Sequence, residues 1–312
     1  MSISILLAKK LNITEHQLHS FCLNAPKKYK VYTIPKRSMG KRIIAQPTKT
    51  LKRVQREALG ILLPFLEVHF SSYAYKKGLG IKDNAMLHKD NSYLLKMDFQ
   101  NFFNKIKPDV FMAKLRNKIP DISYSDEELL KNVFFWKPGL KKSKTLILSI
   151  GAPSSPHISN FVMFEFDSEI ESLCRGLGVV YTRYADDLTF STNKKDVLFQ
   201  LPKIIRGLLS TCMPSLTIND SKTVFSSKAH NRHVTGVTIT NDGMLSLGRK
   251  KKRYLSSLIF KYSLNQINYE DFSHLRGMLG HAKYIEPAFV FRMKAKYGAE
   301  LVDKIILGES YE

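Results

Sequence analysis

Three aspartates carry the first chemical signal. Asp186 and Asp187 stand side by side in Tyr184-Ala185-Asp186-Asp187, between Val179-Val180-Tyr181-Thr182 and Leu188-Thr189-Phe190-Ser191. The strand-forming flanks and polar break predict a β-hairpin that displays both carboxylates at its turn. Two adjacent carboxylates repel, and a fold keeps such a pair more readily if a cation neutralises it. A divalent metal is the economical candidate, because Mg²⁺ is usually held by one or two carboxylates plus substrate phosphates. A solvated turn is the plain alternative, since Asp is a common turn residue. Asp98 shifts the balance. It ends Tyr93-Leu94-Leu95-Lys96-Met97, which reads as a buried strand. Beside the hairpin in one sheet, it would complete a site that clamps the attacking and leaving oxygens of an in-line phosphoryl displacement. Asp98 could also cap the next helix, and the two roles suit different oxygens.

The elements that must position these residues follow from pattern. Residues 1–30 read as helical and amphipathic, with Thr14 and Gln17 spaced for a capping box. Val31–Ile34 and Arg42–Ala45 read as strands joined by the basic loop Lys36–Lys41. Thr48–Phe70 reads as a helix interrupted near Pro64. A helix is expected through 160–174, with Ser155 as its cap and Pro156 in its first turn. Strands are expected near 216–240, and from Gly248 onward the pattern turns helical and basic.

The charge narrows the function classes. The 312 residues include 49 Lys and Arg against 27 Asp and Glu, a net charge of +22. A chain this basic expects a polyanionic partner, most often nucleic acid. No apolar stretch has the length of a membrane span, and the first residues lack the basic lead of a secretion signal. Cys22, Cys174 and Cys212 form neither a disulfide framework nor a zinc pattern, which suits a cytoplasmic location.

In this light Leu-Lys-Met-Asp98-Phe-Gln-Asn-Phe-Phe resembles the first palm motif of reverse transcriptases, and Tyr184–Asp187 resembles their signature hairpin. Gly151-Ala-Pro-Ser-Ser-Pro156 is similar to the family's loop under the incoming nucleotide, and Ile218-Asn-Asp-Ser-Lys222-Thr to the motif that supplies a lysine. Asn84-Ala-Met-Leu-His88 and Val234-Thr-Gly236 resemble two patterns of bacterial retron reverse transcriptases. The six segments run in the family's order and span residues 84–236.

The resemblance implies an α+β right-hand polymerase: an N-terminal helical region (1–30), fingers (31–92), a ferredoxin-like palm (93–247, with 110–150 contributing to the fingers) and a helical, RNA-binding thumb (248–312). It implies two Mg²⁺ ions, with Mn²⁺ as an alternative, held by Asp98, Phe99, Asp186 and Asp187. Lys222 falls where the family has a general acid or an electrostatic stabiliser of pyrophosphate. Arg42 matches a triphosphate-binding arginine, and Phe103 an aromatic gate under the sugar that favours deoxynucleotides. Gly151 and Ala152 would lie at the nucleotide, with Gly151 giving it room. Ile150 departs from the family, where many members carry Gln. Asn84 and His88, at a spacing that could share a helix face, are expected in structural or RNA-contacting roles. Val234, Thr235 and Gly236 would support the primer end, or form a strand with a glycine bulge. Arg249, Lys250, Lys251, Lys252 and Arg253 form a basic patch suited to phosphates.

The activity so implied is RNA-directed DNA synthesis, primed from an internal 2′ hydroxyl of a structured noncoding RNA (msr–msd type). The product is a branched RNA–DNA hybrid, msDNA, used in bacterial anti-phage defence. The expected partners are that RNA, dNTPs, a separate effector or toxin protein, and host RNase H, because no second acidic cluster follows the thumb. An intron-encoded or diversity-generating reverse transcriptase, or a catalytically idle RNA-binding scaffold, are the alternatives.

Overall fold

The computed structural model describes residues 2–35, 40–139 and 145–308. Lys36–Met39 of the expected basic loop, and 140–144, lie outside the described residues.

Two strands, β1 (Tyr29–Pro35) and β2 (Lys41–Pro47), pair as an antiparallel ribbon in which Ile34 faces Arg42. Strands β3 (Tyr93–Asp98), β4 (Val180–Tyr184), β5 (Asp187–Thr192) and β6 (Val224–Ser227) form a sheet ordered β4-β5-β3-β6, with every pair antiparallel. The helices Ser155–Val162 and Phe164–Leu177 lie between β3 and β4 in the chain, and Leu201–Cys212 lies between β5 and β6. This is the βαββαβ arrangement of a ferredoxin-like unit, as expected for a palm. Its central strand is buried on both faces. Leu95 and Met97 join a core with Phe166, Ile170 and Ile205, while Leu94 joins a second core on the opposite face.

The first core extends into the N-terminal region. In the helix Lys49–Leu62, Leu51, Val54, Ala58 and Leu62 are buried at helical spacing, and it packs on the helices Ile3–Leu11 and Tyr124–Phe134. The Thr14 capping box is present, with both reciprocal bonds formed. The helix expected to reach Phe70 ends at Leu62 in a short 3₁₀ turn, because Pro64 has no N–H to continue the ladder. The helix after Pro156 also differs. It begins at Ser155, Ser154 occupies its cap position without a side-chain bond, and it breaks at Met163.

Only β6 of the strands expected near 216–240 joins the palm sheet. β7 (Arg232–Val234), β8 (Val237–Ile239) and β9 (Leu245–Ser246) form a separate sheet. Val234, Val237 and Ile239 share the second core with Leu255, Leu275 and Leu279 of the C-terminal helices Arg249–Ser263 and Tyr269–Ile285. The apolar alternation of these short strands thus serves the C-terminal helices. Among the described residues, no helix is long and apolar enough to cross a membrane.

Candidate active site

The hairpin register pairs Tyr184 with Asp187, so Ala185 and Asp186 form a two-residue turn. Ala185 adopts a left-handed conformation with φ 57°, uncommon for a residue with a Cβ. Two donors hold this turn. The fully buried Arg183 donates from Nη1 to the Ala185 carbonyl at 3.0 Å, and the Phe99 N–H donates to the Asp186 carbonyl at 3.0 Å. Arg183 is itself fixed by Asp167, at 2.8 and 3.1 Å from Nε and 2.6 Å from Nη2. The Tyr181 hydroxyl donates to the same carboxylate at 2.8 Å.

Across the sheet, Asp98 pairs with Asp187. One carboxylate oxygen from each of Asp98, Asp186 and Asp187 lies within 4.8 Å of the others. Lys222, in a short 3₁₀ turn, donates from Nζ to both oxygens of Asp98 at 2.9 Å. Asp98 caps nothing: the next helix starts at Phe102, behind Asn101. One lysine against three carboxylates leaves the cluster short of positive charge. Loss of solvent and then the Asp98 carboxylate raise the pKa of Asp186, while loss of solvent and the Asp186 and Asp98 charges raise Asp187 to about 7. A hard, oxygen-seeking divalent cation suits this donor set. Phe99 stacks its buried ring on Phe102, with centroids 5.5 Å apart, and can offer a metal only its main-chain carbonyl.

A cavity of about 310 Å³ is lined by Phe103, Tyr75, Ile150, Gly151, Ala152, Lys52 and Arg56, among others. Phe103 lines it half-buried, while Phe102 is core, and the Tyr75 ring centroid lies 6.4 Å from that of Phe103. Gly151 has a different reason from the expected one. Its φ is 124°, and a Cβ there would lie 3.2 Å from the Ala45 carbonyl and from Ile44 Cγ2. The close approach it permits is that of β2, whose Ala45 N–H donates to the Ile150 carbonyl at 3.0 Å. Arg42 is exposed at the head of β2, and its charge acts on both Asp186 and Tyr75.

Sequence reasoning missed Lys52 and Arg56, although Lys49, Lys52, Arg53 and Arg56 recur at helical spacing along one face. It also missed the Arg183–Asp167 brace, whose partners are 16 residues apart in the chain with no local pattern to link them.

The remaining motif residues lie elsewhere. His88 falls beyond the end of the helix Ile81–Met86, so it does not share a helix face with Asn84. Both are fully buried, which removes RNA contact from their roles. His88 bridges Ser191 Oγ from Nδ1 and Thr182 Oγ1 from Nε2, each at 2.7 Å, and burial lowers its pKa to about 3. Thr235 and Gly236 form the turn between β7 and β8, with φ 46° and 83°, where a bulged strand was the alternative. The run Arg249–Arg253 opens the helix Arg249–Ser263. Arg249, Lys250 and Arg253 are exposed, Lys251 donates to the Gly236 carbonyl at 3.2 Å, and Lys252 pairs with Glu286 at 3.1 Å.

Residues 34–239 match the family "Reverse transcriptase (RNA-dependent DNA polymerase)". The chain is 49% identical over 278 residues to the Retron Ec83 reverse transcriptase of Escherichia coli, covering 89% of each chain. It is 30% identical to the Retron Ec73 reverse transcriptase of Escherichia coli, covering 89% of this chain and 90% of that one. Among solved structures, telomerase from Candida albicans in complex with a telomeric RNA fragment matches 95% of this chain. This chain spans only 60% of that one, at 13% identity and a TM-score of 0.47. These two relatives are matched along 89% and 90% of their own length, and the chain belongs to the bacterial retron reverse transcriptases, which are RNA-directed DNA polymerases.

Proposed function

We propose that this polymerase holds a folded noncoding RNA, starts DNA from one internal 2′ hydroxyl of it, and copies part of the same RNA into a branched RNA–DNA hybrid. The observation that carries the reading is the triad of Asp98, Asp186 and Asp187, short of cations, in a fold that also carries a cavity with Lys52 and Arg56 in its wall. Asp98, Asp186 and Asp187, with the Phe99 carbonyl, would hold two Mg²⁺ ions, Mn²⁺ being the alternative. Such ions, when bound, stabilise charge on the attacking and leaving oxygens. Arg42, Lys52 and Arg56 bind the triphosphate of a dNTP, for which guanidinium groups are suited. Phe103 sits under the sugar, with Gly151 and Ala152 forming the loop beside it. Lys222 leaves Asp98 and turns its ammonium toward pyrophosphate, as acid or as counter-charge.

RNA is held by the C-terminal helices. A positive helix end disfavours cations, yet five stand at the start of the helix Arg249–Ser263. A phosphate backbone relieves that repulsion. The proposed division is an N-terminal region over 1–30, fingers over 31–92 with 110–150 added, a palm over 93–247, and a thumb from 248. The third sheet, β7–β9, packs with the thumb. A separate effector, host RNase H, a cytoplasmic location and a role in anti-phage defence complete the proposal by family likeness. The test is synthesis by the purified protein with its cognate RNA, dNTPs and no added primer. DNA joined to RNA by a linkage that survives denaturation and yields to a debranching enzyme supports the reading. DNA that starts only from a supplied 3′ end refutes internal priming.

A further inference from the structure

The segment Gly80–Asn91 touches both halves of the molecule. On one side it is latched to the third sheet and the C-terminal helices. Tyr284 Oη donates to Asp83 at 3.3 Å, and Thr235 Oγ1 donates to the Ile81 carbonyl at 3.4 Å. Gly80 makes room for that tyrosine, since a Cβ there would lie 2.8 Å from Tyr284 Oη. Ala85 belongs to the second core. The fully buried Arg232 donates to the carbonyls of Lys89, Asn91 and Thr240. On the other side the same segment grips the carboxylate hairpin. His88 reaches Thr182 of β4 and Ser191 of β5, each at 2.7 Å, and Asn91 Nδ2 donates to Ser191 Oγ at 2.7 Å.

Two hydrogen bonds orient His88. The neutral imidazole has one donor and one acceptor nitrogen, and the hydroxyls of Ser191 and Thr182, which can each donate or accept, satisfy both. Both ring nitrogens are then used, against the sheet, on the two strands that flank the Ala185–Asp186 turn. An error of about 1 Å in the placement of reacting groups costs on the order of 100-fold in rate. A shift of this segment that reached the triad would act on that scale.

We propose that residues 80–91 couple the thumb to the carboxylate hairpin, and that His88 is the positioning residue through which a nucleic acid lying on the C-terminal helices sets the hairpin for nucleotide addition. This rests on the polymerase reading above and adds a route by which RNA engagement controls the site. Arg232 and Tyr284 are the thumb-side grips, and Thr182 and Ser191 the hairpin-side grips.

The experiment is single-turnover nucleotide addition with a supplied primer–template and saturating Mg²⁺, on two duplexes. One is long enough to lie on the C-terminal helices, and the other ends short of them. The variants are Thr182→Val and Ser191→Ala, which delete one grip each with little change of volume, so that one remains if the other misfolds. Wild type should add faster on the long duplex. In the variants the rate on the long duplex should fall on the order of tenfold, toward the short-duplex rate. Their short-duplex rate and RNA affinity should stay close to wild type, while the melting temperature falls by a few degrees because a buried imidazole nitrogen loses its partner. An equal fall on both duplexes, or no fall in a folded variant, overturns the coupling. Equal wild-type rates on the two duplexes overturn it as well. Absence of any DNA synthesis by wild type refutes the polymerase reading instead.

Discussion

Arg183→Met tests whether the carboxylate turn is held from behind. Methionine keeps much of the apolar stem and removes every guanidinium donor. Among the described residues, the fully buried Asp167 carboxylate then keeps only the Tyr181 hydroxyl as a partner. Breaking a buried ion pair by removing one member costs about 3–5 kcal/mol. The Ala185 carbonyl also loses its donor, which adds about 1–3 kcal/mol for an unsatisfied buried group. Asn160 Oδ1 is spared, because Ser72 Oγ still donates to it at 3.0 Å. The expected loss is therefore about 4–8 kcal/mol, large against the stability of a typical domain of about 5–15 kcal/mol. Urea denaturation at neutral pH, followed by circular dichroism, reads it. Arg183→Met combined with Asp167→Leu should recover about half, because an apolar pair leaves no charge stranded. A loss under about 1 kcal/mol, or a double variant no better than the single, would refute the brace.

Three further outcomes follow from the geometry. Phe103→Ala should open the cavity floor and lower discrimination against ribonucleotides by about 10- to 100-fold, read as the ratio of kcat/KM for matched nucleotides; an unchanged ratio makes Phe103 simply a core residue. Replacing Arg249, Lys250 and Arg253 by Gln should weaken RNA binding and flatten its salt dependence by about 0.7–0.9 slope units per lost phosphate contact. The same change at Lys252, already paired with Glu286, should alter the slope least. Stability should rise with pH across the window from about 3 to 6.5 by about 1.4 kcal/mol per unit from His88 alone. Below the unfolded value of 6.5 the unfolded chain binds a proton that the folded chain, with its pKa near 3, refuses; His88→Gln should remove that slope.

The parts of this architecture that were legible in the sequence are those written locally. The hairpin around Asp186 shows in eight flanking residues, β3 in the apolar run that ends at Asp98, and the Thr14 box in a spacing of three. What escaped depends on distance. Arg183 stands within β4, and nothing near it announces that Asp167 neutralises it. His88 reads equally as a structural or an RNA-contacting residue until the fold buries its segment. Gly151 is a glycine in a nucleotide-like loop, and only the fold shows β2 filling the space where its Cβ would be. The strands β7–β9 have the pattern of palm strands, but their apolar faces find the C-terminal helices first. Lys52 and Arg56 were readable as a basic helical stripe, though what they face was not.

The most direct test of the central claim measures two quantities on the same proteins: the single-turnover rate of nucleotide addition, and the affinity for the cognate RNA. Asp98→Asn, Asp186→Asn and Asp187→Asn each remove one charge from a cluster whose oxygens lie within 4.8 Å of one another. If these carboxylates hold the catalytic metals, addition should fall by about three orders of magnitude or more, since electrostatic stabilisation carries most of this chemistry. RNA affinity should stay within about twofold, because phosphate contacts elsewhere carry binding. A near-normal rate in any of the three variants would contradict the assignment of the triad.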